Sequence, residues 1–321
     1  MTYAIKAPAR YAQGAGELAN LGRSAKKLGN KFLVICTDNS CDVVVGMGGG
    51  KALDTAKAVA ENLGLPCVII PTVASNDAPC SGVAVLYNDA GVVVKAVLMR
   101  RNPDLVLVDT GIIANAPRRL FAAGLGDALS TWFEARACKN SGARTMARGN
   151  VSNTGLMMAH LCYDLLMEKG RDALAAVERH EVTPALEDVV EATIYLSGLG
   201  FENGGLAAAH AVNDGFAQEP QAHGMYHGEK VAFGTLVQLV LEKAPQEELE
   251  QVLAFLRDTG LPLTLAQLGV KEIVPETLKK VAEAAVVPTQ STKNLRADIT
   301  AQEVYDAILE ADRIGRDYLA R

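Results

Sequence analysis

An N-terminal α/β domain with a parallel sheet, followed by an all-α domain, is the fold class this sequence predicts. Three observations predict it. Short β-branched runs recur up to about residue 115, they vanish beyond Pro117, and long patterns of helical period replace them. At 321 residues the chain is long enough for each half to bury its own core.

The β-branched runs are 32–36, 43–47, 67–72, 83–87, 92–98 and 105–109. Uninterrupted Val/Ile runs read as strands buried on both faces, hence as a parallel sheet. Between the second and third runs, GKALDTAKAVAENLG carries Leu53, Ala56, Ala60 and Leu63 at helical spacing, which suits a crossover helix. This order is that of a Rossmann-like, nucleotide-binding sheet. The runs on either side of Asn88-Asp89-Ala90-Gly91 read instead as a hairpin with a glycine-containing turn. Helical patterns follow over 126–138, 154–169, 185–197, 229–242, 248–258 and 301–319. Thr183-Pro184, Gly260-Leu261-Pro262 and Val287-Pro288 punctuate them. The joint falls near 115–122, so the expected domains are 1–118 and 119–321.

Composition narrows the partners. The chain is 49% apolar and 21% charged, an ordinary globular profile. Its net charge of −6, with basic residues paired only at places such as Lys26-Lys27 and Arg100-Arg101, argues against a nucleic-acid partner. No apolar run approaches the ~20 residues that cross a bilayer. The leading MTYAIKAPARYAQG lacks the apolar core of a signal peptide, so a cytoplasmic protein with no membrane partner is expected. The six cysteines form no CxxC pair and read as reduced, mostly buried thiols.

Three constellations carry chemistry. The stretch VVVGMGGGK (43–51) runs from strand into helix, and its glycines let backbone N–H groups approach an anion at a helix N-terminus. The spacing is neither GxGxxG nor a Walker A loop. On the glycines alone, a pyrophosphate turn and a plain tight turn both stay open. The stretch PTVASNDAPCS (71–81) follows the third strand, where ligands sit in open α/β sheets. Its hydroxyls and single carboxylate suit a cofactor and a substrate hydroxyl, with an ordinary capped turn as the alternative. The third constellation is dispersed: Asp127 in GLGDA, His210 after GLAAA, His227 in YHGEK. Two histidines and one carboxylate leave a first-row metal an open coordination position. Separations of 83 and 17 residues carry no metal signature of their own. Both histidines nevertheless adjoin small, glycine-rich segments, which is unusual for residues that merely fill a core. Of the other three histidines, His160 and His180 read as structural, and His223 stands close enough to His227 to line the same cleft.

With these motifs on view, the sequence resembles the glycerol dehydrogenases of the iron-containing alcohol dehydrogenase family, which share a fold with dehydroquinate synthase. GMGGGKALDTAKAVA, PTVASNDAPCS, RNPDLVLVDT, AAGLGDALSTWFEARAC, VTPALE, YLSGLGFENGGLAAAHAV and YHGEKVAFGTL carry the resemblance, in order, over nearly the whole chain from residue 41. It implies that Asp127, His210 and His227 hold a metal, usually zinc, with iron(II) or manganese(II) as alternatives. It implies that Asp77 contacts the substrate hydroxyls. It implies NAD as cofactor, with Gly49, Gly50, Lys51, Ala52, Leu53 and Asp54 as the pyrophosphate turn. Thr72, Val73, Ala74 and Ser75 would form a second NAD-binding stretch, and Ser81, Val83 and Tyr87 further contacts. The implied reaction is oxidation of glycerol or a related 1,2-diol, the metal acting as Lewis acid and hydride passing to nicotinamide to give dihydroxyacetone. A homo-oligomer, commonly an octamer, is implied as well.

Two departures from the family stand out. Asn213 occupies a position, three residues after His210, where many relatives carry another histidine. Near 38–41 the family carries about 44 further residues, whereas this chain offers only about six between its first two β-runs, and a parallel crossover takes a dozen or more. The expectation is therefore a tight antiparallel connection or a rearranged, incomplete sheet. Asp38 would stand in for the family's ribose-binding acid. The alternative function is a truncated, catalytically weak or silent homologue that keeps metal binding and oligomerisation. A lyase of the dehydroquinate synthase type is disfavoured, because no Lys or Arg lies between Gly205 and His227.

Overall fold

A computed structural model describes residues 2–29, 31–33, 41–87 and 93–321. Its first part comprises β1 (Tyr11–Gly14), α1 (Leu21–Ala25), β2 (Phe32–Leu33), β3 (Val43–Gly48), α2 (Gly50–Leu63), β4 (Cys67–Pro71), β5 (Val83–Tyr87), β6 (Val93–Leu98), β7 (Leu105–Asp109) and α3 (Thr110–Ala114). Five strands form one sheet in the order β1-β7-β4-β3-β2, every neighbouring pair parallel. β4 and β7 are buried at every residue, which is why their Val/Ile runs carry no polar alternation. β1 escaped the β-branched pattern because YAQG is an edge strand, half-buried throughout. β5 and β6 pair antiparallel as expected, with an irregularity between Leu86 and Tyr87; the turn at Asn88–Gly91 lies outside the described residues.

One expectation is corrected. β2 pairs with β3 in parallel, Phe32 against Val43 and Leu33 against Val44. Among the described residues the ladder holds these two pairs, and the connection that returns to β3 lies outside them. Asp38 lies outside the described residues.

The remainder is helical: α4 (Arg118–Ser141), α5 (Asn153–Glu178), α6 (Pro184–Glu191), α7 (Ser197–Gly204), α8 (Ala208–Gly215), α9 (His227–Glu242), α10 (Gln246–Thr259), α11 (Pro275–Ala285) and α12 (Ala301–Leu319). Starts are set by caps. Thr183 accepts the Leu186 N–H ahead of Pro184, and Thr300 with Glu303 forms a reciprocal capping box that opens α12. The single pattern over 185–197 resolves into α6, a π-helical turn at Ala192–Leu196, and α7. Among the described residues no helix is long and apolar enough to cross a membrane.

The sheet's two faces meet different partners. Val43, Val45, Val68, Ile70, Leu105 and Leu107 pack against Ala25 and the apolar residues around α1. Val44, Ile69, Val106 and Val108 belong to one continuous apolar cluster that runs through Leu125, Leu129, Phe133 and Phe233 of the helical half. The core of the helical half therefore continues onto one face of the sheet, and Gly124 of α4 packs against the Ala74 carbonyl just after β4.

Candidate metal centre

α4 is the axis of the site. Phe121 through Glu134 is buried except for Trp132, because small residues let α5, α7 and α9 close around it. Asp127 sits at its middle with no exposed surface. His227 opens α9, and two residues later Glu229 accepts the Tyr226 N–H at 2.7 Å. The same carboxylate takes a two-pronged ion pair from Arg119 of α4 at 2.6 and 2.9 Å. Gly228 makes this contact sterically feasible: a Cβ there would stand 1.8 Å from the Ala123 carbonyl. α8 is brought to α9 in the same manner, since a Cβ on Gly234 would meet the Ala209 carbonyl at 2.4 Å. His210 lies on α8.

These packings converge three side chains. Nε2 of His227 lies 3.2 Å and Nε2 of His210 3.5 Å from Asp127 Oδ1. One ligand atom from each residue can be chosen so that all lie within 4.8 Å of one another. Oδ1 is buried and accepts no hydrogen bond, while Oδ2 receives the Asp77 N–H at 3.1 Å. An orphaned carboxylate oxygen facing two imidazole nitrogens is costly unless a cation sits among them. The donor set of one oxygen and two nitrogens suits a first-row divalent ion. Burial alone would raise the Asp127 pKa, but the two histidines outweigh it and hold the group well below the usual carboxylate range. For His210, burial is outweighed by Glu134 and Asp127, and its pKa rises.

Asp77 stands beside the cluster. Burial, with the Asp127 charge added, pushes its carboxyl up to about 7, and Ser197 donates to its Oδ2 at 2.8 Å. Ser197 in turn meets Thr131 of α4 at 2.8 Å. The π-helical turn just before Ser197 lets α7 enter at this angle, an arrangement common at functional sites.

The glycine turn is assembled nearby. β3 and β4 are neighbours, so Gly48–Gly50 and Thr72–Asp77 emerge side by side, and the Thr72 N–H bonds the Gly48 carbonyl at 3.0 Å. No side chain caps α2 at Gly49. Gly50 faces Asn76, whose amide nitrogen would lie 2.6 Å from an added Cβ. Val73 approaches Gly49, and Ala74 is buried beneath Ser75. Lys51 and Ala52 lie in the first turn of α2. The side chains of Leu53 and Asp54 turn away from this end, Leu53 into the core and Asp54 to Lys57. Ser81 is buried against the Ala78 carbonyl, Val83 gives its carbonyl to Lys57, and Tyr87 closes β5. His160 pairs with Asp164 and meets Trp132 edge-on, and His180 faces the Ala114 carbonyl. His223 faces the Ala217 carbonyl and lies outside the cluster.

The sequence reading missed three residues. Glu134, buried, contacts His210 from behind; seven residues after Asp127, it lies two turns along the same face. Ser197 orients Asp77. Lys57, only 1% exposed, reaches the carbonyls of Ala78 and Val83 at 2.5 and 2.9 Å and bolts α2 to the segment after Asp77.

Residues 12–117 match the iron-containing alcohol dehydrogenase family. Glycerol dehydrogenase of Escherichia coli O6:H1 is 47% identical over 359 aligned positions, 98% of this chain and 98% of the relative. The chain belongs to the iron-containing alcohol dehydrogenase family. Glycerol dehydrogenase of Thermotoga maritima is 42% identical, with 96% of each chain covered. Among solved structures, a probable glycerol dehydrogenase from Sinorhizobium meliloti 1021 superposes with a TM-score of 0.94 at 40% identity, covering 98% of this chain and 99% of that one. Coverage near both full lengths gives the truncated-homologue alternative no support: apart from the short 33–43 connection, this iron-containing alcohol dehydrogenase family member keeps the frame of its relatives.

Proposed function

We propose that this chain is an NAD-dependent dehydrogenase that oxidises glycerol or a related 1,2-diol, giving dihydroxyacetone from glycerol, with zinc as its ion. The observation that carries the reading is the orphaned Asp127 Oδ1 facing His210 and His227 beside buried Asp77. The names of the relatives, glycerol dehydrogenases over nearly the full length, support the substrate class. Asp127, His210 and His227 would hold the ion. When bound, the ion supplies Lewis acidity toward a hydroxyl and NAD supplies a hydride acceptor. Asp77, held through Oδ2 by Ser197, keeps Oδ1 for the diol. Gly49 and Gly50 keep side chains away from the α2 N-terminus, where a pyrophosphate would lie, and Thr72–Ser75 line its flank. The shared apolar core keeps these groups in register for transfer.

The test is NADH formation by the purified chain with glycerol, NAD and zinc. Asp127→Ala and His210→Ala are expected to lose both zinc and turnover. Full activity in either variant overturns the assignment.

A further inference from the structure

We propose that Glu134 is the positioning residue that commits His210 to the metal, making the two histidine ligands unequal partners. The proposal rests on the metal-site reading above. Glu134 is fully buried, and among the described residues its one ion-pair partner is the His210 imidazole. Oε1 accepts the N–H groups of Ala207 at 2.8 Å and His210 at 3.0 Å. Oε2 faces His210 Nδ1 at 2.6 Å, with the Ser130 hydroxyl at 3.4 Å. One carboxylate thus grips both the backbone at the start of α8 and the ring that α8 carries.

The proton count follows. Oε1 already accepts two backbone N–H groups and Oε2 faces the Ser130 hydroxyl, so Glu134 is the acceptor and Nδ1 donates to Oε2. In the neutral imidazole that leaves a lone pair on Nε2, the nitrogen turned toward Asp127. Glu134 lies across the ring from this nitrogen and so acts on the metal only through His210. Among the described residues His227 has no comparable support. Its side chain is 43% exposed, against 12% for His210, and its described polar contact is Nε2 with Asp127. His210 is the anchored ligand and His227 the yielding one.

Glu134→Gln keeps the size but misplaces a donor. Turned one way, the amide N–H₂ faces Nδ1 and drives the ring proton to Nε2; turned the other, it opposes two backbone N–H groups. Zinc affinity of the full chain, measured by chelator competition, is expected to fall about 10–100-fold in Glu134→Gln. Glu134→Asp, which restores a carboxylate at shorter reach, should fall between. In zinc-loaded protein with ¹⁵N-labelled histidine, the strongly hydrogen-bonded Nδ1 proton should give a downfield cross-peak. That peak should be absent from His210→Ala and shifted upfield in Glu134→Gln, a change that general loosening of the fold would not produce selectively. Wild-type zinc affinity in Glu134→Gln overturns the proposal. If that variant does not fold, unchanged affinity in Glu134→Asp overturns it equally, and weakened affinity supports it. Zinc that stays bound to Asp127→Ala instead overturns the metal-site reading, and the proposal falls with it.

Discussion

At the candidate metal centre the converging groups are side chains, and each is held in place: Asp127 by the Asp77 backbone N–H, His210 by the Glu134 carboxylate, and the α9 start that carries His227 by the Glu229–Arg119 pair. At the glycine turn the decisive groups are backbone. Gly48–Gly50 and Thr72 meet main chain to main chain, and the side chains nearby, Leu53 and Asp54, point elsewhere. The difference teaches where each region is vulnerable. The first fails when a functional group is lost or a ligand is displaced. The second fails when bulk is added or when the buried cation beneath it is removed.

The sharpest break is Asp127→Ala. Losing a ligand removes several kcal/mol of charge stabilisation, so kcat/KM for glycerol should fall by about a thousandfold or more in a steady-state NADH assay. On the other side, Lys57→Met strands the buried Asp54 carboxylate and two carbonyls. Burial already pushes the Asp54 pKa up with Lys57 in place to oppose it. Urea unfolding should show a loss of about 3–5 kcal/mol, with zinc affinity of the folded protein unchanged. Gly228→Ala tests the reverse. Its Cβ collides with the Ala123 carbonyl, which cannot swing aside, so stability should drop by about 1–3 kcal/mol and zinc binding should weaken with it. The smallest effect is expected for Gly50→Ala, where the neighbour is only the end of the Asn76 side chain. Stability should stay within about 1 kcal/mol of wild type while the KM for NAD rises. A change in zinc affinity in Lys57→Met, or none in Gly228→Ala, would dissolve the comparison.

Legibility in the sequence tracks how local the determining physics is. The α12 start was readable because its determinants are local, Thr300 and Glu303 forming a cap within four residues. The central strands were readable because burial on both faces writes an unbroken apolar run. β1 was not, since YAQG earns its place only by pairing with β7. That Asp127, His210 and His227 come together was legible through the ordered motifs around them, not through their spacing. Glu134 and Lys57 look like ordinary charges on helical patterns, and only the packing of α4 and α2 reveals them as buried. Of the two expectations for β2, the antiparallel connection fails, because the short spacing between the runs says nothing of which way Phe32 and Leu33 lie against Val43 and Val44.

That parallel pairing has a consequence for motion. Among the described residues β2 is the outer strand of the sheet: the Val43 N–H donates to the Lys31 carbonyl on the β2 side, whereas the Val44 N–H donates to the Pro66 carbonyl on the β4 side. Hydrogen bonds at a sheet's margin open at a small fraction of the global free energy, while the helices around Asp127 open only with the whole molecule. In amide exchange, Val43 should trade its hydrogen long before Val44, Leu129 or Phe233, and at a rate indifferent to zinc. The molecule is thus a frame with a soft margin at its β2 edge and a clamped centre around Asp127.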